Sequence, residues 1–161
     1  QAISPIVGKV KGCGVANPVR VTSVDGVALS QAATIDCQTA EALTDWVQRA
    51  LKPEVGRTGG GVAKIHVAAH YACRGRNNRS GARLSEHAKG KAIDISAITL
   101  ANGQTLSVLK DWRGKYGSLM KAVHKRACGI FGTTLGPGSD GMHEDHFHYD
   151  TAQHRNGSYC R

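Results

Sequence analysis

Hydrophobic residues alternate with polar or small ones in two stretches of the chain, a pattern typical of half-buried strands. Residues 62–71 alternate throughout, and residues 92–96 place Asp94 on the face opposite Ile93 and Ile95. The sequence therefore predicts two strands. The second strand is expected to present Asp94 away from the apolar core.

Two dipeptides between apolar runs favour tight turns. Asp25-Gly26 lies between Val19-Arg20-Val21-Thr22 and Val27-Ala28-Leu29, and Asn102-Gly103 lies between Leu100 and Leu106. Asp-Gly and Asn-Gly suit the two-residue turns of β-hairpins, because both residues tolerate a positive φ. We therefore expect two hairpins.

Apolar residues at helical spacing predict two helices. The first covers Leu43 to Leu51, and Pro53 is expected to end it because proline lacks the amide hydrogen that a helix interior needs. The second runs from Leu119 towards Ile130, with Gly129 weakening its last turn. Together with the strands, these helices predict an α+β domain with a central antiparallel sheet and helices on its outer face.

The length of the chain suits one domain. Its 161 residues, 40% of them hydrophobic, can bury one core. Residues 1–12 contain Pro and Gly with little periodicity, and we expect them to form a lead segment before a domain at 13–161. We expect no transmembrane segment, because no run approaches about 18 apolar residues. Without a signal segment at its start, the chain is expected to be a mature or trimmed export product.

The five cysteines indicate disulfides. They contain no Cys-x-x-Cys pair, so a structural zinc knuckle is disfavoured and an oxidising compartment is favoured. Cys13 and Cys37 flank the first predicted hairpin, and we expect them to pair.

The net charge of +9 is expected to attract anionic partners. Nucleic acid, acidic envelope polymers and anionic membrane surfaces all fit, and the excess Lys and Arg are equally compatible with a merely solvated surface. The aromatic content of 5% argues against nucleic acid, which single-strand-binding proteins hold by stacking on aromatic rings.

Two short segments, 85–94 and 143–148, concentrate His and carboxylate residues. His87, Asp94 and His148 have the ligand chemistry of a catalytic zinc, which takes three protein ligands and one water. Seven extended residues span roughly 23 Å, so the chain between His87 and Asp94 must double back. Gly90 is the residue that permits such a turn. The alternative is a pH-sensitive surface cluster of histidines.

A zinc hydrolase also needs a base, an oriented ligand and an electrophile, and the sequence offers candidates for each. His146 lies on the same predicted strand face as His148, and Asp145 is three residues before that ligand, so either is a candidate base. Asp150 is placed to orient the His148 imidazole. Arg74 or His143 would stabilise an oxyanion. These candidates are His146, Asp145, His143, Arg74 and Asp150.

His66 and His70 are expected to be half-exposed strand positions rather than metal ligands. No carboxylate or second His is paired with either of them locally.

Several motifs resemble the bacterial extensin-like C-terminal domain family over residues 13–160. They are Tyr71-Ala72-Cys73-Arg74, Ser85-Glu86-His87-Ala88-Lys89-Gly90-Lys91-Ala92-Ile93-Asp94, Leu135-Gly136-Pro137-Gly138 and Asp145-His146-Phe147-His148. The SxHxxGxAxD and HxH signatures in turn resemble the superfamily of lysostaphin-type peptidases, D-Ala-D-Ala carboxypeptidases and penicillin-insensitive murein endopeptidases. This resemblance implies the D-Ala-D-Ala peptidase or hedgehog-like fold with a zinc cleft.

The superfamily resemblance implies zinc ligands at His87, Asp94 and His148, with Ser85 in the shell around them. Its murein endopeptidase branch implies His146 as the base, and its D-Ala-D-Ala branch implies Asp145. Both remain open, and strand geometry favours His146.

The implied function is zinc-dependent hydrolysis of peptidoglycan by a monomer in the bacterial periplasm or secreted to the envelope. An endopeptidase would cleave D-Ala–diaminopimelate or diaminopimelate–diaminopimelate crosslinks between peptide stems. The alternatives are a D,D- or L,D-carboxypeptidase, a non-catalytic peptidoglycan-binding module and a metal-dependent nuclease, of which the nuclease rests only on basic charge beside a His cluster.

Overall fold

The structure, a computed structural model, describes residues 1–78, 81 and 83–161. Within these residues the strands are, in chain order, β1 (Ile6–Val7), β2 (Gly14–Val15), β3 (Pro18–Val24), β4 (Val27–Asp36), β5 (Val62–Ala69), β6 (Ala92–Leu100), β7 (Thr105–Ser107), β8 (Thr133–Leu135), β9 (Phe147–Asp150) and β10 (Tyr159–Cys160). The α-helices are α1 (Cys37–Trp46), α2 (Lys52–Val55), α3 (Val108–Asp111) and α4 (Gly117–Lys125). A π-helical turn (Val47–Leu51) joins α1 to α2, and 3₁₀ turns cover Thr58–Gly60, Arg76–Asn78 and Glu86–Lys89.

Eight strands form one mixed, mostly antiparallel sheet in the order β10-β8-β9-β6-β5-β4-β3, with β7 also paired to β6. The β4–β5 and β10–β8 pairs are parallel. A separate two-stranded sheet joins β1 to β2. Strand β6 therefore lies at the centre of the large sheet, with β5 and β9 on its two sides.

Both hairpins that the turn dipeptides predict are present. β3 pairs with β4 around Asp25 and Gly26, whose φ angles of 48° and 78° are those of a tight hairpin turn. β6 pairs with β7 around Asn102-Gly103, and the Asn102 side chain accepts a hydrogen bond from the backbone N–H of Gln104. The residue types at the two turns were therefore enough to predict both hairpins.

The first helix continues beyond the position that the sequence predicted as its end. Pro53 lies in the first turn of α2, directly after the π-helical turn Val47–Leu51, so the prediction that it ends the helix was wrong. Proline is tolerated in the first turn of a helix, and the change of hydrogen-bonding pattern before it provides such a start. The second predicted helix is present as α4 (Gly117–Lys125), but it ends five residues before Ile130, so the predicted C-terminal end was wrong.

The helices pack against one face of the sheet. Trp46 is fully buried, its ring centroid lies 5.4 Å from that of Tyr149 in β9, and its indole N–H donates to the carbonyl of Val123 in α4. Ile93 and Phe147 of the two central strands are also buried on this side. The predicted α+β class with a mostly antiparallel sheet is therefore confirmed.

The disulfides correct the predicted pairing. Cys13 is bonded to Cys73 rather than to Cys37, and Cys128 is bonded to Cys160. Cys37 begins α1 and is free and exposed. Strand β5 runs parallel to β4, so the chain that follows it returns beside the β1–β2 connection and brings Cys73 to Cys13. Two disulfides are typical of an extracytoplasmic compartment.

Residues 1–12 are tied to the rest of the chain by backbone hydrogen bonds. β1 pairs with β2, and the amide of Ile3 donates to the carbonyl of Pro18. Within the described part of the chain, no helix combines the length and apolar character needed to cross a membrane.

Candidate metal centre

Strands β6 and β9 place two of the candidate ligands side by side. Asp94 and His148 are direct partners in this antiparallel pair. Because side chains alternate across a strand, the neighbours Ile93 and Phe147 enter the core while Asp94 and His148 face away from the helices. The alternation of side chains along these two strands thus places Asp94 and His148, two of the three candidate ligands.

His87 reaches the same place from a 3₁₀ turn, Glu86–Lys89. The hydroxyl of Ser85 accepts a hydrogen bond from the His87 backbone N–H and caps this turn. Gly90 ends it with a φ of 70°, and a Cβ there would collide with Val15. A residue without a side chain is therefore required where the chain doubles back between His87 and Asp94.

His87, Asp94 and His148 form a cluster that could hold a metal ion. Their ligand atoms all lie within 4.8 Å of one another. Oδ1 of Asp94 is 3.1 Å from Nε2 of His87 and 3.0 Å from Nδ1 of His148. The sequence predicted this set, and among the described residues it is the group of His, Cys, Asp and Glu side chains that could hold a metal ion.

Each imidazole is oriented through its other ring nitrogen. Nδ1 of His87 donates to the carbonyl of His70 at 2.8 Å, and Nε2 of His148 donates to Oδ2 of Asp150 at 2.7 Å. Metal-ligating histidines are commonly held by such outer hydrogen bonds. His87 is thereby left to bind a metal through Nε2, and His148 through Nδ1.

The charges in the cluster are strongly coupled. Burial alone would raise the pKa of Asp94, but hydrogen bonds from His148 and His87 hold it well below its usual range. Burial opposes a charge on His148, yet its hydrogen bonds to Asp150 and Asp94 raise its pKa to about 9. In the metal-free cluster the two carboxylates thus favour a proton on Nδ1 of His148. A metal ion would take the place of that proton.

The two candidate bases are arranged in series. Nδ1 of His146 donates to Oδ1 of Asp145 at 2.7 Å, and Nε2 of His146 lies 3.7 Å from Oδ2 of Asp94. The Asp145 side chain is 68% exposed, whereas that of His146 is 20% exposed. Asp145 thus lies behind His146, and the imidazole faces the cluster.

A second His–Asp pair, which the sequence reasoning did not include, lies beside the first. His143 is buried and its Nδ1 donates to Oδ1 of Asp140 at 2.7 Å. The His143 ring centroid is 4.9 Å from that of His146 and 5.7 Å from that of His148. The available signal was the spacing of Asp140 three residues before His143 in a Gly-containing turn. The same carboxylate accepts a hydrogen bond from the amide of Met142.

Arg74 contributes a positive charge at the edge of the cluster. Its Nη2 is 3.8 Å from Oδ2 of Asp94. The backbone there is fixed, because the carbonyl of Arg74 accepts from the amide of Ser85 and the preceding Cys73 is disulfide-bonded to Cys13. The two oxygens of Asp94 therefore face different groups: Oδ1 faces the histidines of the cluster, and Oδ2 faces Arg74 and His146.

His66, in β5, and His70, one residue after that strand, lie outside the cluster, so the expectation of a strand position was wrong for His70. His66 pairs with the hydroxyl of Thr99 at 2.7 Å, and Nδ1 of His70 accepts from the amide of Thr34. His70 contacts the site only through its carbonyl, which holds His87.

The metal cluster, the two His–Asp pairs and Arg74 line a cleft of about 860 Å³. Arg74, Arg76 and Arg83 line it, as do the carboxylates of Asp140 and Asp145. The cleft is large enough to accept an extended ligand rather than a metal ion alone.

Comparison with known proteins identifies the family. The model of the family described as Extensin-like protein C-terminus matches residues 2–161, which include the whole cluster. Comparisons with curated proteins and with solved structures gave no significant match. On the strength of the family match, the chain belongs to the Extensin-like protein C-terminus family.

Proposed function

We propose that this protein is a zinc-dependent peptidoglycan hydrolase, an endopeptidase that cleaves peptide crosslinks. The observation that carries the proposal is the cluster of His87, Asp94 and His148 with the His146–Asp145 pair directed at it from one side. A binding module would not need an oriented imidazole beside its metal ligands.

The donor set fits zinc. Two imidazole nitrogens and one carboxylate oxygen are typical of catalytic zinc sites, which keep a fourth position open. When bound, zinc supplies Lewis-acid polarisation and lowers the pKa of a coordinated water to about 7. His87 would bind through Nε2, His148 through Nδ1 and Asp94 through a carboxylate oxygen.

His146 is assigned as the general base. Its Nε2 is directed towards the cluster, and Asp145 holds Nδ1 so that Nε2 is free to accept a proton from water. Asp145 also stabilises the imidazolium that results. The two residues that the sequence left as alternatives would thus act together, with His146 receiving the proton and Asp145 orienting it.

Arg74 is assigned to the developing oxyanion of the scissile carbonyl. Its guanidinium lies 3.8 Å from Oδ2 of Asp94, on the same side of that carboxylate as His146. A preorganised charge of this kind stabilises a transition state more than a ground state. His143, held by Asp140, lies beside His146 and would contact the same group or the leaving amine.

The substrate class rests on the resemblance to murein endopeptidases and on charge. Peptidoglycan and its associated polymers are acidic, and a net charge of +9 would concentrate the protein on them. The cleft of about 860 Å³ has room for a crosslinked stem. The bond cleaved would be D-Ala–diaminopimelate or diaminopimelate–diaminopimelate.

The test is to separate muropeptides by mass after digesting purified peptidoglycan with the zinc-loaded protein and with His148→Ala. Conversion of crosslinked dimers to monomers by the wild type alone supports the proposal. Release of D-Ala from uncrosslinked pentapeptides, with dimers intact, would make the protein a carboxypeptidase. No change in either species, with zinc bound, would make it a binding module.

A further inference from the structure

A second pocket of about 430 Å³ adjoins the cleft of the candidate metal centre. Ala152, Gln153 and His154 line both spaces. Residues 152–154 therefore form a ridge, with the metal cluster on one side and the second pocket on the other. A ligand that crosses this ridge would occupy both.

The second pocket differs in chemistry from the cleft. Within the described part of the chain, no Asp, Glu, Lys or Arg lines it, although 20% of the chain is charged. Ile130 is half-buried and supplies apolar surface, Phe131 is buried, and Gln38 and Gln153 supply exposed amides. Neither amide hydrogen-bonds within the residues that the structure describes, so both are available to a ligand.

An aromatic ring lies on the cleft side of the ridge, with its centroid 6.4 Å from that of His154. Tyr159 lines the cleft and is 47% exposed. Its strand β10 pairs with β8, the next residue is bonded to Cys128, and the guanidinium of Arg161 lies 4.5 Å from the ring centroid. The backbone of this exposed aromatic residue is thus held in place, which lowers the entropy that its ordering costs when a ligand binds.

Backbone contacts of Gly132 and a hydrogen bond to His154 hold the ridge in place. Gly132 donates its amide to the carbonyl of Asp150, and its carbonyl accepts from the amide of Tyr159. A Cβ at this position would overlap the carbonyl of Ala152. His154 is held by the hydroxyl of Thr133 at 2.7 Å. The pocket is therefore built on close backbone contact and exists before any ligand arrives.

We infer that the second pocket, with Tyr159 across the ridge on the cleft side, is a subsite for an uncharged N-acetylated sugar ring. A pyranose presents hydroxyl and amide groups that suit Gln38 and Gln153, and C–H faces that suit an aromatic ring and an apolar floor. A stem peptide, which carries charged groups, is matched by the charged cleft instead. The inference rests on the proposed function, because the sugar would belong to the glycan strand that bears the cleaved stem.

The first experiment measures sugar binding without catalysis. The wild-type protein is titrated with a β-1,4-linked oligomer of N-acetylglucosamine while NMR follows the resonances of Gln153 and Tyr159. Both should shift, and Tyr159→Ala should weaken binding by about tenfold, whereas Tyr159→Phe keeps the ring and the affinity. Leu109→Ala, which removes an exposed apolar side chain in α3, should bind as the wild type does.

An absence of shifts at Gln153 and Tyr159 at high oligomer concentration would overturn the subsite. Equal affinity of wild type and Tyr159→Ala would do the same. Thermal unfolding and zinc content of each variant show whether the fold and the metal centre are intact, and Gln153→Ala provides a second test if Tyr159→Ala is poorly folded.

A second experiment separates this inference from the proposed function. Crosslinked dimers with their sugars are compared with the same dimers after an amidase has removed the glycan. The wild type should show a KM about tenfold lower on the sugar-bearing dimers, and Tyr159→Ala should show no difference. Sugar binding without cleavage would leave the subsite standing and remove the proposed function. Cleavage with KM values that are equal in the wild type and in Tyr159→Ala would overturn the subsite and leave the proposed function standing.

Discussion

Replacing His148 with alanine is expected to remove most of the affinity for zinc. His148 supplies Nδ1 to the cluster, and its side chain is only 11% exposed. Its loss also removes the imidazole donor from Oδ2 of Asp150, whose Oδ1 still accepts from the amide of Ala152. Asp94 would then keep only His87 as a neighbour at hydrogen-bond distance.

The size of the effect follows from the number of ligands. Zinc sites with four protein ligands bind with about 10–16 kcal/mol, so one ligand contributes about 3 kcal/mol or somewhat over a hundredfold in Kd. Asp150→Asn removes the charge that orients His148 but keeps the ligand, and should weaken zinc binding by about 10- to 100-fold. The Kd for zinc should therefore rise from the wild type to Asp150→Asn and further to His148→Ala.

The assay is competitive titration of zinc against a chromophoric chelator, with metal content measured by elemental analysis after dialysis. His66→Ala is the matched control, because His66 is a strand histidine that pairs with Thr99 outside the cluster. It should keep the wild-type Kd. Unfolding curves of the metal-free proteins check that each variant is folded.

Full zinc occupancy in His148→Ala, with unchanged Kd, would refute the ligand assignment. Equal losses in His148→Ala and His66→Ala would indicate that general destabilisation, rather than lost coordination, explains the effect.

Three further predictions concern the base, a disulfide and a buried histidine. His146→Ala should keep its zinc and lose about 10²- to 10⁴-fold in kcat, with a smaller loss in Asp145→Asn; the reverse ranking in steady-state assays would move the base to Asp145. The double variant Cys13→Ser, Cys73→Ser opens a loop with a sequence separation of 60 and should lower the free energy of unfolding by about 4 kcal/mol. Urea titrations measure this change, and a loss under ~1 kcal/mol would contradict the prediction. Burial lowers the pKa of His124 from 6.5, so the unfolded chain binds the proton more tightly and stability falls as the pH drops below about 6.5; urea midpoints of His124→Phe should depend less on pH over that range, and an unchanged pH dependence would exclude this cause.

Sequence periodicity predicted the parts of the site that lie on strands. Alternation around Asp94 predicted the strand that presents it, and the structure pairs Asp94 with His148 across β6 and β9. The prediction that His146 lies on the same strand as His148 was wrong, because His146 lies in a bend directly before Phe147, where β9 begins. The turn residues at Asp25 and Gly26 were equally readable, because their backbone preferences are local.

Features that depend on contacts between distant parts of the chain could not be predicted from the sequence. The Cys13–Cys73 bond follows from β5 running parallel to β4, a pairing that no local pattern encodes. The helix continues past Pro53 because a π-helical turn precedes it, and side-chain periodicity does not report that change. Asp140 holds His143 from an exposed loop, where an acidic residue is ordinarily only a solvated group.

The separate roles of Asp145 and His146 could not be predicted from the sequence, for a different reason. Sequence spacing made both residues candidates for the same position. Only the hydrogen bond between them, with His146 nearer to Asp94, gives them separate assignments.

The most direct measurement uses a purified crosslinked muropeptide dimer in water enriched in ¹⁸O, incubated with zinc-loaded protein and with metal-free protein. Hydrolysis by a water activated at the cluster predicts conversion of the dimer to monomers, with one heavy oxygen in the newly formed carboxylate and only in the zinc-loaded sample. An intact dimer in the presence of zinc-loaded protein, or equal cleavage by the metal-free protein, would contradict the account.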